Sequence, residues 1–132
     1  MTRRNISSGS AWEKTVGYSR AVRIGSLIEV AGTTAVDERG EVVGPGSPYL
    51  QARYAFGKIG RALAEAGAGF ENVIRTRMFV TDIARWEDVG RAHGEVFRDI
   101  RPAATLVQVA SLVRSDLLVE IEATAVAPED SH

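Results

Sequence analysis

Apolar and polar positions divide this chain into short β-type runs and two helical ones. Residues 18–22 and 27–31 read as strands joined by Arg23-Ile24-Gly25-Ser26, a hairpin with a Gly-Ser turn. Asp37 to Glu41 and Gly44 to Pro48 are rich in turn formers and predict an exposed loop. Beyond Pro48, the spacing of Leu50, Tyr54, Ile59, Leu63 and Ala66 predicts a helix that stops at Gly67-Ala68-Gly69, with Ser47 as its cap and Pro48 as its first residue. Val73 to Val80 is a strand by residue type. Thr81-Asp82 then begins a second helix, with Trp86, Val89, His93, Val96 and Phe97 on its apolar side. The chain closes on two β-type runs around a polar turn, within residues 101–113 and 117–126.

The resulting order, ββαβαββ, predicts an α+β fold: a mixed sheet with both helices packed on one face. The other face also needs cover, because Val and Ile occupy both sides of several strands, and one chain has no element left to supply it. Oligomerisation through that face follows. The last strand carries a further signal. Side chains alternate along a strand, so Glu120 and Glu122 point one way and Val119, Ile121 and Ala123 the other. Two acids on one face of an otherwise apolar strand are costly unless water, a cation or a ligand meets them.

Several of these segments together resemble a known family. Pro102-Ala103-Ala104-Thr105 before an apolar run, followed by Glu120-Ile121-Glu122-Ala123, resembles the C-terminal signature of the Rid/YjgF family. Gly17-Tyr18-Ser19-Arg20-Ala21-Val22, Leu27 to Gly32, and Arg77 to Ile83 resemble its first strand, second strand and β-to-α junction in the right order, so the likeness covers about residues 15–126. It implies a chorismate mutase-like, YjgF-like fold, a barrel-like homotrimer, ligand clefts between subunits, and deaminase chemistry on enamines or imines. Glu120 falls where the family's cleft carboxylate orients water, and Tyr18 where its cleft tyrosine stands. Gly32 would let a ligand approach backbone closely, and Trp86 would cap the cleft mouth. One position departs from the pattern. Active deaminases of the family hold the substrate carboxylate with an Arg at the third position of the Pro-Ala-Arg-Ser block, which here is Ala104.

That departure has a calculable weight. Charge-assisted hydrogen bonds contribute about 1.5–3 kcal/mol each, so loss of a bidentate pair costs ~10²–10⁴-fold in affinity for an imino acid. Thr105, Leu106 and Gln108 also stand where Ser, Cys and Glu are common in the deaminases, which makes the pocket more neutral. Arg75 and Arg77 share a strand face with Phe79 and are candidates to supply a cation from another direction; Arg101, just before Pro102, is a third.

Composition narrows the field. The 132 residues fit a single domain, 1–132, with no linker, repeat or low-complexity segment. A formal net charge of -1 and the lack of any basic run give no field to attract nucleic acid or an anionic membrane. Cysteine is absent, which removes disulfides, thiolate nucleophiles and Cys-based zinc sites. His93-Gly94-Glu95 resembles the His-x-Glu of zinc deaminases only superficially, since the cysteine ligands are missing and the second histidine, His132, is at the far terminus. No metal and no cofactor are expected. There is no phosphate loop, no serine-hydrolase elbow, no run long enough for a membrane span and no secretory leader, so the cytoplasm is the default location. Three readings compete: a RidA-like small-molecule hydrolase, a non-catalytic binding or sensing protein on the same scaffold, and an endoribonuclease or translation inhibitor, which the charge disfavours. A cation facing the cleft would favour the first over the second.

Overall fold

The computed structural model describes residues 1–128; His132, weighed above as a metal ligand, lies outside them. The strands are β1 (Arg3–Ile6), β2 (Ala21–Ile24), β3 (Leu27–Thr33), β4 (Val73–Val80), β5 (Ala103–Gln108) and β6 (Val119–Val126), with helices α1 (Pro48–Glu65) and α2 (Trp86–Phe97). They form one sheet in the order β1-β2-β3-β6-β4-β5. Every pairing is antiparallel except β4 with β5, whose parallel alignment is permitted by the crossover through α2. The sheet is mixed and carries both main helices on one face, as the pattern predicts.

The start of α1 follows from local chemistry. The Ser47 side chain accepts a hydrogen bond from the Leu50 backbone N–H at 3.1 Å, and Pro48 occupies the first turn, where its missing donor is not needed. The helix ends ahead of Gly67, whose φ of +85° suits a residue without a β-carbon. Its buried stripe is built on Ala52, Ala55, Phe56, Ile59, Ala62 and Leu63. Leu50 and Tyr54 are not on that stripe: Leu50 is exposed, and both line a surface groove with Val43 and Arg53. Opposite α1, Ile28, Val30, Met78, Val80, Val119 and Ile121 project from the sheet into the core. Each large aliphatic side chain buried there contributes about 1.5–3 kcal/mol.

Three local differences from the sequence expectation have physical causes. β1 adds a leading strand, giving βββαβαββ; it is polar apart from buried Ile6 and is held by pairing with β2. Charged residues suit such an edge because they discourage pairing with other chains. The stretch before β2 is a single π-helical turn, Glu13–Gly17, so Tyr18 sits on extended backbone just after a turn. Finally, α2 begins at Trp86, after a separate 3₁₀ turn at Ile83–Arg85 capped by the Asp82 side chain. Trp86 is largely exposed and lies outside the core, whereas Val89 and Phe97 are buried as predicted.

Two buried polar side chains tie these elements together. The Arg23 guanidinium donates to the carbonyls of Gly25, Ala66 and Pro128, which joins β2 to the end of α1 and to the residues after β6. Gln51 donates to the Gly44 and Asp116 carbonyls and accepts from the Leu118 N–H, fixing the approach to β6. Among the described residues no helix is long and apolar enough to cross a membrane.

Candidate functional site

The face of the sheet turned away from the helices carries the candidate acids of β6. On β6, Glu120, Glu122 and Thr124 project outward, opposite Phe79, Arg77 and Arg75 of β4 respectively. Each acid meets a different environment. Glu122 pairs with Arg77 at 3.6 Å, and both side chains are more than a third exposed, so the pair adds little stability. Among the described residues Glu120 has no such direct partner.

The backbone around Glu120 is shaped by a β-bulge. Register passes from Val30 opposite Ala123 to Thr33 opposite Ile121, so Ala31 and Gly32 share one position of β6. The Glu120 carboxylate lies against Gly32, where an added β-carbon would stand 2.0 Å from Oε2. Burial raises the Glu120 pKa above the ordinary carboxylate value; the nearby Arg20 charge opposes that rise and Glu122 adds to it. A half-buried acid with a raised pKa can hold water and exchange a proton with it.

Arg20 is the residue that sequence reasoning passed over. Its backbone is held by hydrogen bonds to Ile6 and Ala31, and its Nη2 donates to the Gly32 carbonyl at 2.7 Å. The guanidinium carbon lies 5.8 Å from the Tyr18 ring centroid, within cation–π range. Among the described residues, its buried Nε–H has no hydrogen-bond acceptor. The available signal was the two-residue spacing of Tyr18, Arg20 and Val22, which puts an arginine beside the candidate tyrosine on one side of extended chain.

The arginines singled out from the sequence are engaged elsewhere. Arg75 donates to Thr105 Oγ1 at 2.8 Å, Arg77 is turned to Glu122, and Arg101 folds back to donate to the Arg98 carbonyl. Gln108 caps the 3₁₀ turn by accepting from the Ile83 N–H. His93 is a packed residue: Nε2 lies 2.8 Å from Thr76 Oγ1, and Phe56 and Phe97 stand against the ring. Among the described residues, no three His, Asp or Glu side chains gather as metal ligands.

Ala104 does not meet Glu120 within one chain. Ala104 aligns with Thr76, which points to the helix side, whereas Glu120 aligns with Phe79 on the opposite side. Tyr18, Arg20, Gly32 and Glu120 come together; Ala104, Thr105, Arg75 and Trp86 belong to other parts of the surface. Two concavities, of about 400 Å³ beside α1 and about 240 Å³ near Asp82, do not include Glu120.

The sequence and the fold match known proteins. Residues 8–127 match the family model described as Endoribonuclease L-PSP, and the chain belongs to that family, which is the Rid/YjgF family. An uncharacterised protein of Streptomyces coelicolor is 44% identical over 92% of this chain and 90% of its own length. The 2-iminobutanoate/2-iminopropanoate deaminase of Capra hircus is 32% identical over 96% of this chain and 91% of its own. Among solved structures, a YjgF/YER057c/UK114 family member from Mycobacterium tuberculosis superposes with a TM-score of 0.87 at 47% identity, covering 96% of this chain and all of that one.

Proposed function

We propose that the protein is a metal-free hydrolase of imines or enamines, with Glu120 orienting and deprotonating the attacking water. The observation that carries this reading is the half-buried Glu120 carboxylate, held against Gly32 near the Arg20 charge. Curated relatives named as imino-acid deaminases support the reaction class.

The chemistry is the hydrolysis of a protonated C=N bond. Water oxygen attacks the iminium carbon while one water proton passes to the Glu120 carboxylate, giving a carbinolamine. Glu120 returns the proton to nitrogen, the C–N bond breaks with release of ammonia, and the remaining hydroxyl proton leaves as the carbonyl forms. An enamine enters the same path after protonation at carbon. A raised pKa suits both halves, because the group must take up and release a proton near neutrality.

A wall of the cleft comes from another subunit. The open sheet face exposes Ile24, Leu27, Val107 and Val126, an apolar surface that a second copy would cover. Ala104 and Glu120 point to opposite sides of one sheet, so a cleft containing both must combine two chains. We assign a homotrimer with the Glu120 cluster at its subunit boundaries, and Tyr18 and Trp86 as cleft aromatics from different chains.

The test is turnover by Glu120→Gln. Ammonia release from freshly generated 2-iminobutanoate should fall by on the order of 10²-fold or more. Turnover equal to wild type would remove Glu120 from the mechanism.

A further inference from the structure

The Ala104 substitution leaves a question that the Glu120 cluster answers. A 2-imino acid has two poles: a carboxylate, and an iminium carbon next to it. Glu120 suits the second. The first needs a cation that is close to Glu120, held in place, and not already paired.

Arg20 meets these conditions. It is close enough for its charge to oppose the rise in the Glu120 pKa, and among the described residues the ion pairs are Arg77–Glu122, Arg85–Asp88 and Arg114–Asp116, none of which engages it. Among the described residues its side chain makes one hydrogen bond, from Nη2 to the Gly32 carbonyl, on the same residue that Glu120 lies against. Tyr18 flanks the guanidinium, and its buried Nε–H has no acceptor among the described residues. Lys58 adds positive potential from α1, although its Nζ is engaged by the Thr34 and Val36 carbonyls. Glu13, the other acid whose pKa Arg20 affects, is hydrogen-bonded by Ser8. By contrast, Arg75, Arg77 and Arg101 donate to Thr105, Glu122 and the Arg98 carbonyl.

The geometry points to Arg20 as the anion anchor of this chain: pinned to the Gly32 carbonyl and facing Glu120 across that glycine, it takes the carboxylate of a 2-imino acid and presents the C=N carbon to water on Glu120. The inference rests on the hydrolase reading and names its substrate class. It also explains how position 104 can be alanine. The cation has moved from β5 to the segment leading into β2, and the carboxylate is held from the Glu120 side of the cleft.

The test compares Arg20→Met and Arg20→Gln with wild type on 2-iminobutanoate, on a carboxylate-free ketimine of equal length, and in calorimetric binding of 2-oxobutanoate. Arg20→Met should raise KM for the imino acid on the order of 10²-fold more than for the neutral ketimine, and weaken 2-oxobutanoate by a similar factor. Arg20→Gln, which keeps a donor for Gly32, should show the same preference if charge is what matters. Equal losses on both substrates would make Arg20 a structural residue and overturn the inference. So would unaltered 2-oxobutanoate affinity, or no binding of it by wild type. If wild type turns over neither substrate but binds 2-oxobutanoate in an Arg20-dependent way, the hydrolase reading fails and the anchor stands.

Discussion

The Glu120 carboxylate and Gly32 are in such close contact that a β-carbon on residue 32 would lie 2.0 Å from Oε2 and 3.0 Å from the carboxyl carbon. The group in the way is the end of a flexible side chain, so the fold can absorb the change while the site cannot. Gly32→Ala is expected to fold with a Tm near wild type and to lose on the order of 10²-fold in kcat, the cost of shifting a catalytic group by about 1 Å. Thermal melting and steady-state kinetics on the same preparation check this; retained kcat would show that the contact does not position Glu120.

Glu120 should make acidity visible in both activity and stability. Burial raises its pKa in the folded chain, Arg20 partly offsets the rise, and Glu122 adds to it. The acid limb of kcat/KM should therefore lie above the ordinary carboxylate range, and Arg20→Met should move it further up. Stability runs the other way. A carboxyl whose folded pKa exceeds its unfolded value contributes fully below the unfolded pKa and loses that contribution as pH rises through the folded one. Glu120→Gln should accordingly be more stable than wild type at neutral pH, with the gap closing in acid, as denaturant titrations at several pH values would show. A variant less stable than wild type at neutral pH would contradict the assigned burial cost.

His93 predicts a second pH window of opposite slope. Burial among Phe56, Phe97 and Thr76 lowers its pKa, so the unfolded chain takes up the proton first as pH falls. Stability should be level above about pH 6.5 and decline below it, until the folded imidazole protonates as well. His93→Gln should flatten this decline in urea titrations between pH 5 and pH 7, all pH values approximate. An equally steep decline in the variant would assign the effect to other groups.

Arg23 tests the fold independently of the chemistry. It is buried and holds three carbonyls, from Gly25, Ala66 and Pro128. Arg23→Met should cost about 3 kcal/mol or more, because charge-assisted bonds are lost and buried carbonyls are left unmet. Chemical denaturation reads this directly, and a loss under about 1 kcal/mol would mean that water replaces the guanidinium without penalty.

How much of this was legible in the sequence depended on which force set each feature. The start of α1 was readable because Ser47-Pro48 satisfies local backbone chemistry, and β4 because its β-branched and apolar residues name their own conformation. The core face of α1 was read only in part. Alanines at 52, 55 and 62 fill it, and alanine carries little hydrophobic contrast, while the bulkier Leu50 and Tyr54 lie off it. β1 was not legible, since a polar edge strand exists through pairing and not through its own pattern. Within the site, alternation correctly placed Glu120 and Glu122 on one face. The meeting of Arg20 with Gly32 and Glu120 depends on a bulge and on strands nearly the whole chain apart, which no local spacing reveals.

The central claim is that this chain hydrolyses imines although position 104 is alanine. The most direct measurement is ammonia release from freshly generated 2-iminobutanoate by wild type, set beside Ala104→Arg and the spontaneous rate in chelator-treated buffer. The account predicts that wild type exceeds the spontaneous rate unaided and that Ala104→Arg is not needed for turnover. A wild type no faster than buffer, with activity gained only by Ala104→Arg, would contradict it and leave a binding protein on a deaminase scaffold.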